Sequence, residues 1–176
     1  MENLEEKQIG VLMGGLSTER EISISTGNSV CEALVRMRLN ISPIHVDQNI
    51  ADRLRNIDLV FNALHGTYGE DGCIQGLLEY LKIPYTGSGV VGSALAFDKL
   101  KTKEILKSHN IPTADYEVFY KNQKETIQRT LKLPVVVKPT NQGSSFGISI
   151  VQEENQWKAA LGNAFKYSKE IIIEKF

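Results

Sequence analysis

Apolar residues fall along this chain in short bursts, and the spacing inside each burst predicts the element. Residues 8–13, Gln-Ile-Gly-Val-Leu-Met, form a compact apolar run that predicts a buried strand. Gly14-Gly15 breaks it, and Thr18-x-x-Glu21 has the form of a capping box. The helix that follows carries Ile22, Thr26, Val30, Ala33, Leu34 and Met37 on one face. Runs at 41–46 and 57–62 predict two more strands, and Ile74, Leu77, Leu78 and Leu81 mark another helix. A short helix is expected at 90–96. Asp98 can cap the next, which runs to about Ser108 with Leu100, Ile105 and Leu106 as buried candidates, and Asn110 and Pro112 end it. The second half predicts strand 115–119, helix 123–131, strand 134–138, a loop, and strand 147–151. A helix with Trp157, Leu161, Ala164 and Phe165 on one face follows, then strand 170–175.

The order strand, helix, strand, strand, helix with short links points to an open, mostly parallel α/β sheet. The second half reads as an α+β unit with a mixed sheet, and the boundary falls near residues 95–100. A chain of 176 residues suits one large domain or two small ones. With 41% apolar and 23% charged residues, a core forms and disorder is not expected. The net charge is −1 with both signs interspersed, so no basic block points to nucleic acid. No apolar run approaches the roughly 18 residues of a membrane span. Met1 to Lys7 is polar and acidic, unlike a secretory signal. Cys31 and Cys73 read as free thiols of a cytoplasmic protein, and His45, His65 and His109 have no metal-ligand spacing with them.

The candidate chemistry is densest at 133–151. A β-branched strand ends in Lys138, and the loop after Pro139 holds Gly143, Ser144, Ser145, Phe146 and Gly147. A lysine at a strand end can reach a phosphate, and backbone N–H groups of small residues can close over it. This is a hairpin flap, not the strand–GxxxxGK[ST]–helix phosphate loop. A second constellation, Gly14 to Glu21, sits at a strand's carboxyl end, where open α/β sheets bind ligands. Glu19 could hold a substrate ammonium there, or Glu19 and Glu21 could simply favour the positive end of the helix dipole. A third, Ala63 to Gly72, carries His65 among three glycines. His65 could bond a carboxylate or serve as a hydrogen-bonded loop residue. Lys99, beside Asp98, could join Lys138 in neutralising a polyphosphate, although a helix-surface lysine is ordinarily solvated. Glu174-Lys175-Phe176 places an acid at a strand end, where it could face a base or ribose.

In order and spacing these strings resemble the D-alanine–D-alanine ligase family of the ATP-grasp superfamily. They are Val11-Leu12-Met13-Gly14-Gly15 with Glu19-Arg20-Glu21, His65-Gly66-Thr67-Tyr68-Gly69-Glu70-Asp71-Gly72, Tyr85-Thr86-Gly87-Ser88-Gly89, Asp98-Lys99, Lys138-Pro139 with Gly143-Ser144-Ser145-Phe146-Gly147, and Ile173-Glu174-Lys175. The resemblance implies a Rossmann-like open parallel-sheet N-terminal substrate domain over 1–97. It implies the first part of an ATP-grasp α+β nucleotide-binding domain over 98–176. It further implies ATP-dependent joining of two D-alanines through an acyl phosphate, with Mg²⁺, for a cytoplasmic peptidoglycan precursor. By the resemblance Glu19 holds the ammonium of the first D-alanine, His65 lies near it, and flap Ser144 orients Glu19 and the substrates. Lys99 and Lys138 contact the ATP phosphates, Ser145, Phe146 and Gly147 close over them, and Glu174, Lys175 and Phe176 begin the adenine hinge. Family chains continue past residue 176 and carry their metal ligands there. The chain therefore reads as a fragment, inactive by itself, with no metal ligand of its own. A homodimer is expected, with neither nucleic acid nor membrane as partner. The other readings are a D-alanyl-D-lactate or D-alanyl-D-serine ligase, another ATP-grasp carboxylate–amine ligase, or a non-catalytic binding domain.

Overall fold

The computed structural model describes residues 4–123, 127–143 and 146–176. The chain divides into two compact units, Met1–Ala94 and Leu95–Phe176.

The first unit contains strand β1 (Gln8–Gly14), helix α1 (Arg20–Arg36), β2 (Asn40–Val46), a single turn α2 (Ile50–Arg53), β3 (Leu59–Asn62) and α3 (Cys73–Tyr80). A fourth helix, α4, spans Val90–Phe97. The sheet order is β2-β1-β3, with both pairings parallel. As the central strand, β1 is buried from Ile9 to Gly14. The alternation of its side chains then sorts them between two clusters. Leu12 packs with Ile44, Leu54, Val60, Ile74 and Leu78, while Val11 and Met13 face Val30, Cys31 and Leu34.

Two expectations for α1 are corrected. The capping box does not form: α1 begins at Arg20, and Glu19 stands at the N-cap without a side-chain capping bond. Ser17 Oγ accepts from the Glu19 N–H at 3.1 Å instead, and the Glu19 side chain turns inward. The buried face is also different. Ser23 and Gly27 are its buried residues, whereas Ile22 and Met37 lie 45% and 64% exposed. A Cβ at Gly27 would stand 2.5 Å from the Met13 Cβ. The helix approaches β1 too closely for a larger residue, and an apolar periodicity cannot register that.

The second unit contains α5 (Lys99–Ser108), β4 (Tyr116–Tyr120), β5 (Val135–Pro139), β6 (Ser149–Val151), α6 (Trp157–Ala164) and β7 (Glu170–Lys175). Asp98 caps α5 as expected, accepting from Leu100 and Lys101 N–H at 2.9 and 3.0 Å. The strand order is β4-β7-β5-β6 and every pairing is antiparallel, which corrects the expected mixed sheet. The physical reason lies in the crossover. β6 and β7 run in the same direction, with α6 connecting them, but β5 lies between them. The connection therefore has the look of a parallel unit without making a parallel pair.

The helix expected at 123–131 is also corrected. A 3₁₀ turn at Lys121–Gln123 precedes it, 124–126 lie outside the described residues, and 127–131 are not helical. There the N–H groups of Thr130 and Leu131 donate to the Glu117 carboxylate at 2.8 and 2.9 Å, which removes them from any helical ladder.

Along β5 the alternation is strict. Val135 and Val137 enter the core with Val151, Leu161, Phe165, Ile171 and Ile173. Burial of each such side chain is worth about 1.5–3 kcal/mol. Val136 and Lys138 face the other side of the sheet. Val136 lies directly opposite Glu174, and Lys138 follows two residues on.

Candidate active site

In the first unit the predicted site residues meet where the strands end at their carboxyl side. Gly14 and Gly15 adopt φ of +78° and +84°, which turns the chain sharply out of β1. Ser23 Oγ then accepts from Gly14 N–H at 2.9 Å and donates to the Ala63 carbonyl at 2.8 Å, tying the end of β1 to the residue after β3. Glu19 is only 2% exposed, and its Oε2 is buried with no hydrogen-bond partner among the described residues. That oxygen lies against the backbone of Gly66, where a Cβ would come within 2.4 Å of it. Gly66 has φ +72°, so both its conformation and its space require glycine.

His65 immediately precedes Gly66 in this turn. Its carbonyl accepts from Ser17 Oγ at 2.7 Å, and its Nε2 lies 3.0 Å from Thr26 Oγ1. Glu70 accepts from Gly66 N–H at 2.8 Å, and Asn62 and Gln75 both donate to the Gly69 carbonyl. The loop is thus held at several points. Burial, and then the nearby Asp71, push the Cys73 thiol up from its ordinary value, so it stays protonated at neutral pH. A cavity of about 190 Å³ adjoins this loop, lined by Gly14, Gly15, Val46, Leu64, His65 and Cys73 among others. Glu19 is not among its lining residues, whereas Asp47, His65, Thr67 and Tyr68 are, beside an otherwise apolar wall.

In the second unit, Lys138 and Glu174 are brought together on the face of the sheet opposite the core. Lys138 Nζ pairs with Glu174 Oε2, and the other carboxylate oxygen lies 3.1 Å from Lys103 Nζ. Lys99 donates through Nζ to the Gln142 carbonyl, and its backbone N–H bonds Thr140 O at 2.8 Å. The head of α5 is thereby joined to the loop that follows β5. Ser144 and Ser145 lie outside the described residues. Phe146 packs near Tyr167 at 6.0 Å between ring centroids. Gly147 has φ +73°, and a Cβ there would meet Pro139 and Tyr167 at 2.7 and 2.8 Å. Lys175 N–H bonds Asp115 O and Phe176 N–H bonds Pro134 O, while the Phe176 side chain is 66% exposed.

Lys103 escapes a reading of the sequence. Its position in Lys99-Leu-Lys-Thr-Lys103 looks like a solvated helix face, yet it is 7% exposed. Ser17 and Thr26 also pass unnoticed as the partners of His65; the Ser-Thr turn before α1 is the faint signal for the first. Among the described residues no group of three or more His, Cys, Asp or Glu side chains could hold a metal ion. No helix among the described residues is long and apolar enough to cross a membrane.

Known proteins match both units. The family model described as D-ala D-ala ligase N-terminus matches residues 48–88, and that described as D-ala D-ala ligase C-terminus matches 105–176. The D-alanine--D-alanine ligase of Geotalea uraniireducens is 48% identical over 179 residues, covering 100% of this chain and 58% of the relative. The crystal structure of D-alanine--D-alanine ligase from Bacillus anthracis matches with a TM-score of 0.82 at 37% identity, over 97% of this chain and 57% of that one. The same enzyme complexed with ATP matches with a TM-score of 0.81 at 35% identity, over 97% and 58%. The chain thus spans a little under three fifths of the length of these relatives. With both family models matched in order along it and relatives of that name over its whole length, the chain belongs to the D-alanine–D-alanine ligase family.

Proposed function

We propose that the protein carrying this sequence joins two D-alanine molecules with ATP, in the cytoplasm, to make a peptidoglycan precursor. The observation that carries this reading is the orphan Oε2 of Glu19. A buried carboxylate oxygen without a donor is costly, and a substrate ammonium supplies the missing donors together with the opposite charge. Residues 1–97 then form the amino-acid domain and residues 98–176 the nucleotide side. On that side Lys99 and Lys138 contact phosphates, the flap residues Ser144, Ser145, Phe146 and Gly147 close over them, and Glu174, Lys175 and Phe176 line the base.

In the reaction, a carboxylate oxygen of the first D-alanine attacks the γ-phosphorus of ATP, and ADP leaves. The amine of the second D-alanine attacks the acyl phosphate carbonyl. Phosphate departs as the C–N bond forms, and the neutral amine gives up one of its two protons to the departing phosphate or solvent, so the amide keeps one N–H. The protein's part is positioning and charge: Glu19 fixes the ammonium, His65 lies beside that substrate, and the lysines neutralise the transferring phosphoryl group. Mg²⁺ would accompany ATP as its counter-ion and offset part of the phosphate charge. A homodimer is part of the proposal.

Phosphate release in the presence of ATP, Mg²⁺ and D-alanine tests the reading. Glu19→Gln should raise the KM for D-alanine roughly 10- to 100-fold, as expected for loss of a charged hydrogen bond of about 1.5–3 kcal/mol. The KM for ATP should not move. Turnover with D-lactate or D-serine as the second substrate, and none with D-alanine, would replace the dipeptide reading. An unchanged D-alanine KM in the variant would remove the role given to Glu19.

A further inference from the structure

Lys103 is a buried ammonium that the proposed mechanism leaves idle. Its Nζ donates to Thr113 Oγ1 at 2.8 Å and the Ala114 carbonyl at 3.0 Å, and it is ion-paired with Glu174 Oε1 at 3.1 Å. Its Nζ also sits 5.2 Å from the centroid of the Tyr116 ring. The side chains of Lys103 and Glu174 are 9% and 11% exposed, and that of Lys138 is 20% exposed. Glu174 therefore stands between two cations of unequal freedom. One is fastened to α5 and to the segment after it. The other stands on β5 beside the phosphate flap and holds Glu174 by its second oxygen.

We infer that Lys103 is a positioning residue for nucleotide binding: it is the resident counter-ion of Glu174, which frees Lys138 to exchange that carboxylate for an ATP phosphate. The inference rests on the reading of Lys138 and Glu174 as ATP contacts. Its physical basis is the asymmetry of buried charge. Drawing Lys138 away from a carboxylate with no other cation would leave that carboxylate buried and unpaired, a penalty charged against ATP binding. With Lys103 in place the carboxylate keeps one full ion pair throughout. It also keeps its orientation, because Lys103 is itself held by Thr113 and Ala114, so the second oxygen stays aimed at the position that Lys138 vacates. An oxygen held in that way is suited to accept a hydrogen bond from an amino group on the base.

The test is a double-mutant cycle in the intact protein that carries this sequence, with ATP binding and steady-state kinetics as readouts. Lys103→Met should raise the Kd and KM for ATP at least tenfold and leave the KM for D-alanine within twofold. Adding Glu174→Gln to Lys103→Met should recover ATP affinity relative to Lys103→Met alone, because the unpaired charge is then gone. A purely structural role, bracing α5 through Thr113 and Ala114, predicts otherwise. ATP and D-alanine constants would then drift together with a fall in Tm, and Glu174→Gln would rescue nothing; that pattern overturns the inference. If Lys103→Met alone does not fold, the comparison of Lys103→Met/Glu174→Gln with Glu174→Gln decides. Equal ATP affinity upholds the inference, and a further tenfold loss overturns it. If the unaltered protein binds no ATP, the functional reading itself has failed. ATP binding by the unaltered protein that is undiminished in Lys103→Met removes the inference alone.

Discussion

At the scale of single residues, the site depends on contacts where one atom more would not fit. Gly66 admits the Glu19 carboxylate because it has no Cβ, and Gly27 admits α1 to β1 for the same reason. The second case gives a prediction in which two effects oppose each other. Replacing glycine by alanine inside a helix ordinarily gains about 0.8–1 kcal/mol of helix propensity. At Gly27 the new methyl would stand 2.5 Å from the Met13 Cβ, an atom rooted in the central strand rather than the far end of a flexible side chain. Overpacking of this kind costs about 1–3 kcal/mol. Gly27→Ala should therefore lower the urea midpoint, with net destabilisation of about 1 kcal/mol and an unchanged slope. A raised midpoint would mean that the methyl is accommodated between α1 and β1 and that helix propensity wins. The identity of Glu19 and His65 as candidates was legible from their strings. The packing of the Glu19 carboxylate against Gly66, next to His65, was not, since it depends on the turn at Gly14-Gly15 and on the bond from Ser17 to the His65 carbonyl.

At the scale of elements, strands were easier to read than helices. β1, β2, β5 and β7 stand within a residue or so of their apolar runs, because burial on a sheet leaves a short, dense signal. The described end of the helix expected at 123–131, residues 127–131, is not helical because Glu117, on β4, takes the N–H groups of Thr130 and Leu131. That partner lies outside any local window. The mixed sheet failed for a similar reason: the helix between β6 and β7 was visible, but the insertion of β5 between them was not. Capping is the local feature that separated the two cases most clearly. Thr18-x-x-Glu21 had the right residues and no cap, whereas Asp98 has β-region dihedrals and accepts from two N–H groups. Asp98→Ala should therefore cost about 1 kcal/mol, within the 0.5–2 kcal/mol range for such caps, and Asp98→Asn should restore most of it. Thermal unfolding of the two variants checks this. An equal loss in both would show that the charge of Asp98 matters more than its hydrogen bonds.

At the scale of the whole molecule, the chemistry divides as the chain does. The orphan carboxylate and His65 belong to the unit Met1–Ala94, and the lysines with Glu174 to the unit Leu95–Phe176. Each unit has its own apolar clusters, built around β1 in the first and around β5 and β7 in the second. A ligand that binds the folded state protects the amides it orders, by about RT ln(1 + [L]/Kd), which is near 2.7 kcal/mol at a hundredfold excess over Kd. If the proposed division of labour holds, hydrogen exchange in the intact protein should report two separate footprints. D-alanine alone should slow exchange at residues 17–23 and 63–70, where Ser17, Ser23, Glu70 and the Gly66 backbone frame Glu19. ATP alone should slow exchange along β5 and β7 and at the head of α5, where Lys138, Glu174 and Lys99 are anchored. The cavity beside β2 shares Leu64, His65, Thr67, Tyr68 and Gly69 with the D-alanine footprint, so ATP alone should leave it unchanged. Protection by ATP centred on residues 17–23 would reverse the assignment. Protection by D-alanine confined to β5 and β7 would do the same, and Glu19 would then lose its claim to the ammonium.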